Sequence, residues 1–502
     1  MVTIIQAYYR QHPLRTILFL GFIVRLLAAI FSRGFGFSDD HFMVIDVAQQ
    51  WINGIDDNRW LPINGNTIAN GPSLLYPGLH YYLFLGLKIV GITDPEAKML
   101  IVRLLHALYS LLIVYFGYRI TNKLSGKDVA NRVGLLLALL WVLPMMSVRN
   151  AVEVVCIPPL MWATWILLNA DDKKSNKLFF ISGLVVGIAF SIRFQTVVFI
   201  GGMGLGILLH RKWLQAIVFG AGALITIVGI QNAIDLIIWG KPFVELQAYI
   251  NYNITNAYNY IVGPWYNYIL LVSGLLIPPL SIFLYYGMFK VRKQYLWIIL
   301  PALCFFIFHS YFPNKQERFI FPVLPFFIMA GMAGWHIIET QSNYWKKHDA
   351  LLKRFWLFFW IVNTILLVTL TPSSTKIARV DAMNYLRSLP NNYPYLVESS
   401  NSWGPILPPL YYLDNFSQPY HVCGKLPSDS VFAAIKQQHL TMPKYILFAE
   451  DKNLEIRVAD IKRHVPNLVF DKYIKSSYLD KTMSWLNPVN INLTYHIYKV
   501  EE

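Results

Sequence analysis

Apolar residues fall along this chain in long uninterrupted blocks, separated by short polar segments rich in Lys and Arg. The blocks cover residues 16–33, 99–120, 130–147, 154–170, 178–192, 194–210, 213–239, 268–289, 295–312, 319–338 and 354–371. Several reach the roughly 17–25 residues that a helix needs to cross a hydrocarbon core. His80–Ile92 is also apolar but spans only about 13 residues, a length typical of an interfacial segment. After Pro372 the pattern changes. Short runs with strand character (Tyr395–Glu398, Tyr445–Phe448, Leu468–Tyr473, Tyr495–Val500) alternate with helical stretches (Val380–Leu389, Asp429–His439, Leu454–His464). The predicted fold is an all-α polytopic membrane protein of about eleven transmembrane helices over residues 1–371, followed by an extramembrane α/β domain over residues 372–502.

Composition agrees with a membrane domain. Of 502 residues, 55% are hydrophobic and only 14% charged, against about 25% charged in soluble globular chains. The first block lacks a small-residue cleavage site after it and reads as a retained span. The net charge of +15 does not indicate nucleic acid, because the basic residues sit in short loops between apolar blocks. With Arg10 and Arg15 cytoplasmic and His80–Ile92 lying along the membrane, Arg119, Lys123, Lys127 and Arg132 fall on the same side. So do Lys173, Lys174, Lys177, Arg211, Lys212, Lys290, Arg292, Lys293, Lys346, Lys347, Lys353 and Arg354. That is the positive-inside arrangement. It makes the loop 34–94 and the region after Pro372 external. Cys156, Cys304 and Cys423 show no metal-ligand spacing.

The same orientation puts the unusual polar residues on the external side. Ionisable groups at membrane depth cost about 2.5–3.5 kcal/mol on insertion scales and are functional suspects. Ser38-Asp39-Asp40-His41 follows the first span. It suits a helix start, a general base for an attacking hydroxyl, or a divalent cation such as Mg²⁺ or Mn²⁺. Arg149-Asn150 and Glu153 follow the third span, where a capping turn is the plain alternative. Lys315 and Arg318 lie in an external loop, against the charge rule. An anion such as a lipid phosphate explains them; interfacial snorkelling is the alternative. Arg25 inside the first span and Arg193 at an external helix end are weaker pointers, since either can simply pair with a carboxylate.

Taken in order, these residues resemble the dolichyl-phosphate-mannose-dependent mannosyltransferases of the GT-C superfamily, which act in N-glycan and GPI-anchor assembly. The family's His-Pro-Asp-Glu reads here as Phe37-Ser38-Asp39-Asp40, its Asn-x-x-Glu as Asn150-Ala151-Val152-Glu153, and its His-Lys-Glu-x-Arg-Phe as Asn314-Lys315-Gln316-Glu317-Arg318-Phe319. Asp235, Trp239-Gly240, Tyr252-Asn253, Gly263-Pro264-Trp265 and Tyr268 match a further family stretch. The resemblance implies a GT-C-like membrane glycosyltransferase with a periplasmic or luminal active site, in a bacterial inner membrane or the ER. The implied donor is a polyprenyl- or dolichyl-phosphate sugar, most simply mannose, and the acceptor a glycolipid or glycan; membrane lipids are the other partners. Asp39 or Asp40 would be the base, Lys315 and Arg318 the donor-phosphate ligands. Arg25, His41, Asn150, Glu153, Arg193, Trp265 and Tyr266 would line the cavity. The alternative reading is a lipid-linked oligosaccharide flippase or another transporter, but the chain shows no internal repeat.

Overall fold

Backbone groups within hydrocarbon have no water to bond, so apolar blocks must satisfy them internally as helices. The computed structural model describes residues 2–63, 66, 68–69, 71–170, 175–291, 293–487 and 494–501; Lys173, Lys174 and Arg292 lie outside the described residues. Among the described residues, six helices are long and apolar enough to cross a membrane: Pro13–Phe31, Pro95–Ser125, Trp213–Trp239, Lys293–Tyr311, Glu317–Gln341 and Asp349–Leu370. Val152–Leu168, Asn176–Ile192 and Phe194–Leu209 are shorter apolar helices. His80–Ile92 proves to be part of a helix over Leu75–Ile89.

The chain forms two compact units. The first comprises Met1–Ala29, Ile55–His80 and Val102–Thr371. Its innermost helix is the stretch Leu324–Gln341, in which every residue from Leu324 to Trp335 is buried. Glycines let a neighbour approach it closely: a Cβ on Gly334 would overlap the Gly287 carbonyl, and one on Gly287 the Gly331 carbonyl. In lipid there is little hydrophobic drive between helices, so such close backbone packing carries much of the association.

Two of the expected spans are interrupted. The block 130–147 is helical over Lys127–Leu139, turns extended at Leu140, and resumes at Val142–Met146. Buried Asn363 bridges the break. Its amide donates to the Leu139 carbonyl at 2.9 Å, and its oxygen accepts the Trp141 N–H at 2.9 Å. The block 268–289 divides into Asn267–Leu275 and Leu280–Met288 around Pro278-Pro279, where prolines lack the N–H that a continuous helix needs.

The second unit comprises Ile30–Gly54, Tyr81–Ile101 and Pro372–Glu502. It holds a five-stranded sheet of β1 (Tyr395–Ser399), β2 (Tyr420–Cys423), β3 (Tyr445–Ala449), β4 (Leu468–Ile474) and β5 (Tyr495–Val500), in the order β2-β1-β3-β5-β4. β1 runs parallel to β2 and β3, while β5 runs antiparallel to β3 and β4. Helices Ile377–Arg387, Ser428–Gln437 and Leu454–Lys462 fall close to the expected stretches. β2 and the helix Tyr478–Leu486 were not expected.

The glycine contacts give a direct test. Gly334→Leu should lower the yield of monodisperse protein in detergent several-fold by size-exclusion chromatography, while Gly86→Leu, which meets nothing within 4 Å, should leave it unchanged.

Candidate active site

Three irregular segments of the first unit converge on one buried carboxylate. Glu153 lies in the first turn of the short helix Val152–Val155. Arg193 is the extended residue between the helix Ser175–Ile192 and a tight turn, and Arg318 belongs to the 3₁₀ segment Glu317–Val323. A Glu153 Oε1 sits 2.9 Å from Arg193 Nη1 and 3.6 Å from Arg318 Nε. All three side chains are buried. Arg193 Nε donates to Gln195 Oε1 at 2.9 Å, and Arg318 Nε to Gln316 Oε1 at 3.0 Å. Both guanidinium groups lie over the Phe319 ring. Guanidinium groups gathered out of water are the kind of donors that hold a phosphate or carboxylate strongly.

Asn150 delivers Glu153 to this place. It adopts a left-handed conformation, φ 60°, which Asn tolerates better than most residues. Its side-chain oxygen accepts the Tyr76 hydroxyl at 2.7 Å, and that hydroxyl lies 2.6 Å from His106 Nε2. His80 joins the cluster, its Nδ1 2.9 Å from the Tyr76 carbonyl. Sequence reading missed Tyr76, His80 and His106; histidines inside or beside apolar blocks were the available signal.

Arg25, expected to line the cavity, and Lys315, expected to bind the donor phosphate, both bond helix-end carbonyls. Arg25 is buried, and it donates to Ser110 Oγ and to the carbonyls of Gly21, Leu137 and Ala138 at 2.9–3.2 Å. It therefore caps the end of the helix Lys127–Leu139, whose last carbonyls lack intrahelical partners, instead of lining a cavity. Lys315 Nζ donates to the carbonyls of His309 and Ser310, each at 2.8 Å, and to that of Phe312. All three of its donors are spent on the end of the helix Leu296–Tyr311, where a cation also complements the helix dipole. Burial pulls its ammonium below the ordinary lysine range. Trp265 and Tyr266 are exposed, in the turn that follows Ile261–Gly263. That segment runs beside Lys315, whose N–H donates to the Ile261 carbonyl at 2.9 Å.

In the second unit, Asp39 and Asp40 open a short helix, Asp39 exposed and Asp40 buried. The helix continues through a π segment, His41–Ile45, into Asp46–Ile52; such bulges often mark functional sites. His41 does not join the two aspartates as a third ligand. It stacks between Phe35 and Tyr412, with Nε2 3.3 Å from Asp46 Oδ1. Among the described residues, no three His, Cys, Asp or Glu side chains are grouped as a metal site requires.

Residues 16–401 match the Alg9-like mannosyltransferase family. The chain belongs to that family. It is thus a multi-pass membrane glycosyltransferase of the mannosyltransferase kind, which decides against the transporter alternative. Among the family's curated members, GPI mannosyltransferase 3 of Debaryomyces hansenii is 22% identical over 392 residues, 74% of this chain and 67% of that protein. Mannosyltransferase APTG1 of Arabidopsis thaliana is 24% identical over 357 residues, 68% of this chain and 62% of that one. The fold is that of GT-C enzymes. ArnT from Cupriavidus metallidurans in the apo state aligns with TM-score 0.58 at 14% identity, covering 97% of this chain and 98% of that one. The oligosaccharyltransferase AglB from Archaeoglobus fulgidus aligns with TM-score 0.52 at 10% identity, over 93% of this chain and 73% of its own.

The Alg9-like chain has a second buried acidic group. Glu245 Oε2 accepts the Leu74 N–H at 3.1 Å and the Gln231 amide at 2.7 Å; the same amide lies 3.4 Å from Asp235 Oδ1. Burial pushes the Glu245 carboxyl up to about 7 from 4.5. A raised acid pKa stabilises the fold below about 4.5, and that stabilisation is lost as pH rises through about 7. The thermal midpoint in detergent should therefore fall between about pH 4.5 and about pH 7 and level off above that, and Glu245→Gln should flatten that decline.

Proposed function

We propose that this enzyme transfers mannose from a polyprenyl- or dolichyl-phosphate donor to a glycolipid or glycan acceptor, with inversion, on the non-cytoplasmic face of its membrane. The observation that carries the reading is the buried Arg193–Glu153–Arg318 cluster, which gathers two guanidinium groups at one place. A phosphate monoester leaving group carries a growing negative charge and needs fixed donors, not a proton. Arg318 and Arg193 are assigned that role, with Glu153 holding them in register. Lys315 contributes its charge from the helix end without a donor to spare. Support for a lipid phosphate comes from the fold: a solved ArnT is bound to undecaprenyl phosphate, and a solved AglB is in complex with a dolichol-phosphate.

Asp39, the exposed member of the acid pair, takes the proton from the acceptor hydroxyl. The hydroxyl oxygen bonds to the anomeric carbon as the carbon–phosphate-oxygen bond breaks, and the electron pair leaves with the lipid phosphate. Asp40 is the understudy. A Mg²⁺ or Mn²⁺ ion at these carboxylates would have to complete its shell with water and substrate oxygens. Trp265 and Tyr266 offer aromatic faces to a sugar ring. About eleven crossings, with residues 1–371 as the membrane domain and 372–502 outside it, complete the proposed topology.

The test is transfer by purified protein from radiolabelled polyprenyl-phosphate mannose to a membrane glycolipid extract. Asp39→Asn should lower turnover by about a hundredfold or more, and Arg318→Lys, which keeps charge but loses the fork, should raise the donor KM by about tenfold. Full activity in the Asp39→Asn/Asp40→Asn double variant would sink the base assignment. If the natural sequence moves no label, the donor class is wrong.

A further inference from the structure

Deepening that reading, and resting on it for the identity of the base, we infer that the segment Ser373–Arg379 positions the Asp39–Asp40 helix. It thereby makes the C-terminal part of the chain a working component of the transferase. All the contacts lie within the second unit. The first long helix ends at Phe31 and the next starts at Ser38, so the six residues Ser32–Phe37 join them. Beside the Arg33–Glu96 ion pair at 2.6 Å, contacts that hold this segment come from more than 330 positions later in the chain.

Gly34 and Thr375 form a parallel β-bridge. The Thr375 N–H donates to the Arg33 carbonyl at 3.1 Å, the Phe35 N–H donates to the Thr375 carbonyl at 3.2 Å, and Thr375 Oγ1 donates to the Phe35 carbonyl at 2.9 Å. On one side Ser32 Oγ donates to the Ser373 carbonyl at 3.0 Å; on the other Lys376 Nζ donates to the Gly36 carbonyl at 2.5 Å. Gly34 has φ +79°, and a Cβ there would overlap the Thr375 carbonyl. Only glycine fits this bridge.

The zipper then takes hold of the helix itself. Lys376 and Arg379 both lie 5.3 Å from the centre of the Phe35 ring, and Arg379 lies 5.6 Å from that of Phe42. Phe35 also stacks with His41, at 4.5 Å between ring centroids. Phe35 and Phe42 thus flank Asp39 and Asp40 in sequence; Arg379 lies over both rings and Lys376 over that of Phe35. Lys376 is itself held in a left-handed conformation by its N–H, which donates to Asp480 Oδ1 at 2.8 Å. Lys376, Arg379 and Thr375 act through the helix, so they are positioning residues.

The experiment is a double-mutant cycle on the full chain, with hydrogen exchange as a second readout. Lys376→Met and Gly34→Ala should each lower kcat by about tenfold or more while leaving the donor KM within about twofold. Exchange of the amides of residues 32–42 should accelerate in both variants. In the cycle, Lys376→Met should cost little once Asp39 is already Asn, because the base it aims is gone. Equal losses on both backgrounds would overturn the inference, as would unchanged exchange and kcat in Lys376→Met. If Asp39→Asn alone is fully active, the base assignment falls; the exchange arm then still decides whether the zipper holds the helix.

Discussion

A buried carboxylate between two guanidinium groups is the constraint around which the first unit is arranged. Neither Arg193 nor Arg318 can be taken out of water alone without a penalty of several kcal/mol. Glu153, within reach of both, reduces that penalty. To bring the three together, each chain segment has to leave regular helix. Arg193 is extended between two helical pieces, Arg318 lies on a 3₁₀ run, and Glu153 follows a left-handed Asn150. Irregular backbone at such places is tolerated only where it is buried in protein or lines a wet cavity. The distortion and the charge cluster therefore explain each other.

Buried cations in such a protein have a second use that resembles the first in sequence. Arg25 and Lys315 both answer the carbonyls that a helix leaves unpaired at its C-terminal end. In hydrocarbon those carbonyls cannot turn to water, so a cation that arrives from another helix or from the following loop stabilises the break. A basic residue in an apolar block thus marks either an anion site or a helix end. Only the distances separate the two.

Much of the architecture was legible because lipid simplifies the code: apolar length becomes helix. The helical character of the apolar blocks, six of them long enough to cross a membrane among the described residues, and the alternation of strand and helix in the C-terminal part could be read from residue pattern. The breaks at Leu140 and Pro278-Pro279 were harder. The first is bridged by Asn363, more than two hundred residues away, and leaves no local trace. β2 was missed because four residues between Pro419 and Gly424 carry too little periodicity to register. In the site, Glu153, Arg193 and Arg318 stood out as charges in apolar surroundings and do converge. The Asp-Asp-His run does not gather as three ligands among the described residues. Adjacent residues on a helix face different ways, and His41 is claimed by Phe35, Tyr412 and Asp46.

The sheet of the second unit bears on what that unit is for. In open α/β sheets, ligands bind outside the carboxyl ends of the strands, where the order of parallel strands switches direction. Here that point lies at β1, with β2 and β3 on either side. It is filled by protein: Arg457 Nε donates to Glu398 Oε2 at 2.7 Å, and its other nitrogens bond the carbonyls of Ala449, Glu450 and Lys452. Both side chains are buried. A buried, hydrogen-bonded ion pair thus occupies the crevice between those strands. What the sheet does offer is a rigid base for the helix Ile377–Arg387, whose Asp381 pairs with Arg33 at 3.0 Å and whose first residues meet Phe35. The fold of this unit is therefore better suited to holding the chain around Asp39 than to binding a ligand of its own at that crevice.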